Sequence, residues 1–275
     1  MNIIKTGLLL TVLTMILVWI GGALGGTNGL ITALVFAGIM NFSTYWWSDK
    51  LAIRMARAEP IEPEQSPQLY QMLQNLSMRA QIPLPKMYVA PNPQPNAFAT
   101  GRNPEHAAVV VNEGLLRMLP ASEIEGVIAH ELAHVKNRDT LTMTVAATLA
   151  GAISMLGYIA RFAMYSQDSR DRGNTFMAAI FAPLAAIIIQ LAISRSREYE
   201  ADRVGAEIAG TPLGLADALE HLEAGVARIP ANIAPTQAPL YIVNPLKGGG
   251  IFALFSTHPP IAERVRRLRE MAGMR

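Results

Sequence analysis

No charged residue occurs between Thr6 and Ser48, and nothing else in the chain narrows the possible folds so far. Gly25-Gly26-Thr27-Asn28-Gly29 divides the run at a natural turn. The pattern predicts a hairpin of two membrane spans, near Gly7–Leu24 and Leu30–Trp47. Each approaches the ~20 residues that a bilayer requires. Trp46 and Trp47 close the second arm, where interfacial aromatics belong. Lys5 ahead of the apolar run also fits a cleaved signal peptide. No small-x-small cleavage site follows, and the second span comes at once, so an uncleaved anchor is the expectation.

Two further uncharged runs, Thr140–Ala160 and Gly173–Ser194, are near spanning length. Buried core helices are the alternative for them. Their length and their Ala, Ile and Leu content favour a second membrane hairpin, packed closely through Ala and Gly. Composition agrees: 51% of residues are apolar, 16% are charged, and mean hydropathy is +0.25, too oily for an ordinary soluble domain. Lys50, Arg54 and Arg57 follow the second span, Lys136 and Arg138 precede the third, and Arg195, Arg197 and Arg203 follow the fourth. The positive-inside rule then puts both termini and these polar segments in the cytoplasm, as in a multi-pass membrane protein. Arg170 and Arg172 would face outside against the rule, accompanied by Asp168 and Asp171.

The polar segments carry the chemistry. His130-Glu131-Leu132-Ala133-His134 has the H-E-x-x-H spacing. On a helix, positions four apart share a face, so both imidazoles can reach one metal ion. Glu131 is rotated by roughly 100°, where its carboxylate can take a proton from an attacking water. The flanks read as an amphipathic helix: Ser122 with Glu125 fits a capping box, and Ile124, Val127, Ile128 and Leu132 form an apolar stripe. Two ordinary core or surface histidines are the bland alternative. The chain has no cysteine, so any metal must be held by His and carboxylate. Net charge of +2 gives no argument for nucleic acid, and no nucleic-acid-binding motif is present.

A catalytic zinc takes three protein ligands and keeps one position open. The third could come from His106, His221 or His258, or from the cluster Arg197-Glu198-Tyr199-Glu200-Ala201-Asp202. Glu198 and Asp202 are four apart on one helical face. That spacing would let Glu198 bind metal while Asp202 holds a ligand imidazole. A solvated charged helix below the membrane fits the same spacing. Glu200 points elsewhere.

Other elements place these residues. Ser66–Ala80 reads as a helix with Leu69, Met72, Leu73 and Leu76 on one side. Lys86–Ala90 and Ala107–Asn112 read as short strands separated by Pro91–Pro95. Asn96–Gly101 fits an exposed strand or a loop. Helices are expected over Ser194–Ala209, Pro212–Ala227 and Pro259–Met271, and irregular structure over Ala231–Gly250. The fold class is therefore mainly α and membrane-integrated: four transmembrane helices plus a zincin-like α+β catalytic domain with a small sheet. The chain divides at 1–48 (hairpin), 49–139 (catalytic segment), 140–194 (second hairpin) and 195–275 (catalytic segment).

His-Glu-Leu-Ala-His-Val-x-x-Arg-Asp-Thr at 130–140 and Ser-Arg-Ser-Arg-Glu-Tyr-Glu-Ala-Asp at 194–202 resemble the two signatures of the HtpX-type membrane zinc metalloproteases. The wider family includes the CAAX prenyl protease. Asn96-Ala97-Phe98-Ala99 and His258-Pro259-Pro260 match further shared segments. The resemblance covers nearly the whole chain, apart from Ala231–Gly250. It implies one zinc bound by His130, His134 and Glu198, with Glu131 as catalytic base and Asp202 behind a ligand. It puts His258 and Arg264 beside the active site. It places Asn96, Ala97, Phe98 and Ala99 beside the zinc helix, where they could pair with an extended substrate; Phe98 could equally be core. His258 could donate to an oxyanion or cap the closing helix. Arg264 could bind substrate or pair with Asp. The implied location is a bacterial-type inner membrane, and the implied substrates are membrane-protein or unfolded polypeptide segments, in quality control under stress. A silent zinc-containing scaffold or chaperone-like protein, or a narrow CAAX-type processing protease, are the alternatives. Glu131 argues against the scaffold, because a structural zinc needs no general base.

The topology is testable directly. Reporter fusions at Arg57, Asn137 and Arg203 should read cytoplasmic, and one at Thr27 external. An external reading at Asn137 would remove the active site from the cytoplasm.

Overall fold

The computed structural model of the chain describes residues 2–145, 195–226, 241–243 and 259–274. Helix α1, Asn2–Met55, is broken at Gly25 and Gly26, whose backbones are not helical. Gly26 has φ 57° and ψ −144°, a conformation open to glycine and strained for other residues. The chain doubles back there. Asn41 Nδ2 donates to Thr14 Oγ1 at 2.8 Å, although a straight helix would hold these residues roughly 40 Å apart. The two arms of α1 therefore fold back on each other. Its second arm, Gly25–Trp47, is long and apolar enough to cross a membrane, and the first arm carries a shorter apolar helix at Leu10–Trp19. Phe36, Ile39, Phe42, Trp46 and Trp47 are all exposed on that second arm, as a lipid-facing helix requires. Most of the second predicted hairpin lies outside the described residues, which include only 140–145 of it, and these are helical.

The polar segments fold as helices around a small mixed sheet. The strands are β1 (Glu59–Pro60), β2 (Lys86–Ala90), β3 (Ala97–Thr100) and β4 (Ala108–Asn112). Their order is β1-β2-β4-β3. β2 and β4 run parallel, while β1 and β3 pair antiparallel at the edges. The helices are α2 (Pro67–Ala80), α3 (Glu113–Met118), α4 (Ala121–Lys136), α5 (Arg195–Ala209), α6 (Leu213–Val226) and α7 (Ile261–Met271). Most sit within a residue or two of their predicted bounds. The two-residue β1, the short α3 and a 3-10 turn at Pro104–His106 have no sequence periodicity to announce them.

Strand alternation sets the layers. Val109 and Val111 face a core built with Leu73 and Leu76 of α2, Val127, Ile128 and Leu132 of α4, and Leu215 and Leu219 of α6. Val110 and Phe98 face the opposite way and pack on Ala52 of α1, past its interfacial tryptophans. The sheet is thus sandwiched between the helical core and the end of the membrane hairpin.

Helix α4 is buried well beyond the apolar stripe of the amphipathic helix expected. Almost every residue from Glu123 to Val135 is buried, because α2, α5, α6 and β3 surround it. The Ser122–Glu125 capping box does not form. Pro120 is the N-cap, with no side-chain cap bond, and its carbonyl accepts from the amides of Glu123 and Ile124. Ser122 thus lies inside the first turn, and Glu125 pairs with Arg79.

The approach of α5 to α4 depends on Gly205. A Cβ there would sit 2.9 Å from His130 Cα and 3.0 Å from His130 N, against backbone that cannot rotate away. Alanine would gain about 1 kcal/mol of helix propensity but incur roughly 1–3 kcal/mol of overpacking. We expect Gly205→Ala to lower both Tm and metal content by moving α5 off α4. A variant with parental Tm and full metal would contradict this packing.

Candidate metal centre

Helix α4 supplies His130 and His134 from one face, and α5, far along the chain, supplies Glu198. One ligand atom from each lies within 4.8 Å of the others. His130 Nε2 is 3.9 Å from Glu198 Oε2, and His134 Nε2 is 3.6 Å from Glu198 Oε1. A tetrahedral zinc with bonds near 2.0–2.2 Å needs ligand atoms about 3.3–3.5 Å apart, so small contractions would suffice. All three side chains are buried.

What lies behind the imidazoles orients them. His130 Nδ1 is 3.1 Å from Asp202 Oδ1, and His134 Nδ1 is 3.4 Å from Asp139 Oδ2. When each Nδ1 donates to its carboxylate, Nε2 carries the lone pair and faces Glu198. Both rings are therefore set for metal through the same nitrogen. Asp202 came from the sequence; Asp139 did not. It lies five residues past His134, where a buried acid directly before an uncharged run was the available signal. Its other oxygen is 3.7 Å from Arg197 Nη1.

Asp202 is held in turn. Arg264 of α7 donates to it twice, Nε to Oδ2 at 2.8 Å and Nη2 to Oδ1 at 2.6 Å. Arg264 is fully buried, and its Nη1 is 3.8 Å from Glu198 Oε2. Burial alone would raise the Asp202 pKa, but Arg264 and His130 outweigh it and hold the carboxyl down at about 2. At His134 burial opposes the charge; the Asp139 hydrogen bond and the Glu198, Glu131 and Asp139 charges prevail and raise the pKa to about 9. The cluster favours positive charge where the ligand nitrogens converge, and a divalent cation meets that demand with more charge than a proton.

Glu131 stands apart from the ligand set. Its Oε2 accepts a 2.8 Å bond from the amide of Ala99 on β3. Asn96, Ala97, Phe98 and Ala99 thus lie beside the zinc-motif helix, with Ala97–Ala99 on an edge strand. Their side chains are buried: Phe98 packs toward α1, and Asn96 Oδ1 accepts from the amide of Ile242. Glu200 is exposed and bonded to Arg203. His106 is exposed and bonded to Arg102, and His221 pairs with Glu123, so neither joins the centre. His258 lies outside the described residues.

These roles separate by mutation. Glu198→Ala should lose stoichiometric zinc, and Glu200→Ala should keep it. Asp202→Ala should weaken zinc by roughly 10–100-fold and cost about 3–5 kcal/mol by leaving Arg264 buried and unpaired. Adding Arg264→Met to Asp202→Ala should restore most of the stability but not the zinc affinity. Recovery of affinity in that double variant would show that Asp202 does not act through His130.

Residues 63–272 match peptidase family M48. A protein described as a protease HtpX homolog from Pelotomaculum thermopropionicum is 52% identical over 280 residues, covering 99% of this chain and 100% of its own. Another from Aquifex aeolicus is 49% identical, covering 94% and 89%. The crystal structure of Ste24p from S. mikatae superposes with a TM-score of 0.52 at 18% identity, covering 93% of this chain and 61% of that one; at that identity the likeness shows the fold. With the His-Glu-x-x-His helix, the carboxylate of α5 and an apolar hairpin on one chain, the protein belongs to peptidase family M48, as a membrane-associated metalloprotease of the HtpX type.

Proposed function

We propose that the chain is a zinc endopeptidase that holds one zinc through His130, His134 and Glu198 and cuts membrane proteins or their unfolded cytosolic segments. The observation that carries this reading is the convergence of the three ligand atoms, with each imidazole backed by its own carboxylate. The donor set is two imidazoles and one carboxylate, which leaves a position open for chemistry. Neither a silent scaffold nor a CAAX-type processing role is favoured by the comparisons, since the curated relatives are proteases of the HtpX type.

Bound zinc would supply Lewis acidity, activating water and polarising the scissile carbonyl. The chain's own residues do the rest. Glu131 takes the proton from the attacking water and returns it to the leaving amine. The Ala99 amide fixes the carboxylate between those transfers. Asp202 and Asp139 keep the imidazoles in one tautomer, and Arg264 keeps Asp202 in place. His258 precedes α7 by a short Pro-Pro step and is the proposed donor to the developing oxyanion. The edge of β3 pairs with the substrate backbone, giving affinity with little sequence preference. The Lys and Arg distribution supports a cytoplasmic active site, and quality control is the role in keeping with that breadth. In this reading 49–139 and 195–275 form one catalytic body between the two hairpins.

Glu131→Gln should retain zinc and abolish cleavage of an unfolded protein. His258→Phe should also retain zinc and lower kcat roughly 10²–10³-fold, with a smaller change in KM. Zinc loss in His258→Phe would make that residue a ligand; cleavage by Glu131→Gln at the parental rate would overturn the proteolytic role of Glu131.

A further inference from the structure

Strand β3 joins the reacting carboxylate to the membrane surface. Near its C-terminal end, Ala99 N–H donates to Glu131 at 2.8 Å. Two residues past that same end, the Arg102 guanidinium lies over the Trp46 ring, 4.7 Å from the centroid. Trp46 closes the long apolar arm of α1, the level at which aromatic rings meet headgroups. A second tie leads to the next uncharged run. Thr140 Oγ1 donates to the Gly101 carbonyl at 3.0 Å, and the Thr100 and Thr144 hydroxyls are 3.1 Å apart. On the outer face of the sheet, Phe98 packs on Ala52, just beyond the tryptophans. The strand is fastened both to the end of the long apolar arm and to the start of the next uncharged run.

The free side of the strand is defined as well. Asn96 O accepts from Asn112 N of the β4 strand, so by alternation Ala97 and Ala99 turn their backbone groups away from β4, and the Ala99 amide meets Glu131. A polypeptide adding to that edge, beside the Ala99 amide that Glu131 occupies, lies along a strand whose C-terminal end leads to Arg102 and Trp46. Ala99 and Arg102 are three residues apart, and the chain bends after Thr100, so at most about 10 Å separates them.

We propose that the anchoring of β3 beside Trp46 selects substrates by position: the enzyme cuts extended polypeptide where it emerges from the bilayer, roughly three to eight residues beyond the surface. The recognised feature is an unfolded backbone next to a membrane span, not a side-chain sequence. This rests on the proteolytic reading above and specifies its substrate class. A site farther out on a flexible tail must loop back, and its effective concentration falls roughly as the −3/2 power of the intervening length.

The test uses the full chain, zinc-loaded, in lipid nanodiscs. Each substrate has one transmembrane helix followed by a Gly/Ser tail carrying the same cleavable apolar segment at ~5, ~15 or ~40 residues from the span. The expected result is a fall in kcat/KM of about 20-fold from the nearest to the farthest position. A soluble peptide with the same cleavable segment reports the chemistry alone. Equal cleavage at all three positions, with the soluble peptide also cut, overturns the positional proposal and leaves the protease intact. No cleavage of any substrate by fully zinc-loaded enzyme overturns both. Placement is read independently of activity. The chain has no cysteine, so a fluorophore on Glu105→Cys, three residues past Arg102, should be quenched by headgroup nitroxide lipids. An unquenched probe at Glu105→Cys overturns the anchoring of β3 at the surface.

Discussion

The buried pair between Asp202 and Arg264 is the interaction on which the site depends. A carboxylate and a guanidinium lose their water in this core, and each would be costly there alone. Together they make two short bonds, and the charge that remains is directed at His130. The pair ties the last helix, α7, to α5, and through His130 to α4. Elements from opposite ends of the polar sequence are therefore held in register by a few charged atoms. The apolar core brings the same helices together, but it has no direction of its own. The ion pair and the close approach at Gly205 are what fix the rotation of α5 about its axis.

This explains why the centre is so fully buried and so negatively charged. Glu131, Glu198, Asp139 and Asp202 converge within a helical core, with Arg264 and Arg197 as the nearby cations. In water such a cluster would repel itself. Here Nδ1 of each histidine is engaged by a carboxylate, and both Nε2 atoms look toward Glu198. The electrostatics are those of a site made for a small divalent cation. The exposed acids Glu200 and Glu207 of the same helix pair instead with Arg203 and stay out of the centre.

Much of this was legible in the sequence, for identifiable reasons. The metal motif announced itself because helical spacing converts directly into a shared face; for Glu198 and Asp202 the spacing left a solvated helix open, and the resemblance to the HtpX-type signatures distinguished the two. The hairpin was legible because an uncharged run with a glycine turn has few alternatives. The surroundings of α4 were not legible. An i, i+3, i+4 stripe cannot show that the opposite face is also buried, because that face is polar and its partners include Glu198 and Asp202, over sixty positions away. The capping box was misread because Pro120 starts the helix ahead of Ser122. The part played by Gly205 depends on contact between helices, and local pattern has no record of that.

The central claim is that two imidazoles and one carboxylate hold the metal and leave a position open. Zinc K-edge X-ray absorption on the loaded, full-length protein tests it most directly. The account predicts two imidazole nitrogens and carboxylate oxygen near 2.0–2.2 Å, completed by one light, exchangeable ligand. In Glu198→Ala any residual zinc should lack the carboxylate. A first shell of three imidazoles, or one unchanged by the loss of Glu198, would contradict the assignment and move the third ligand to another part of the chain.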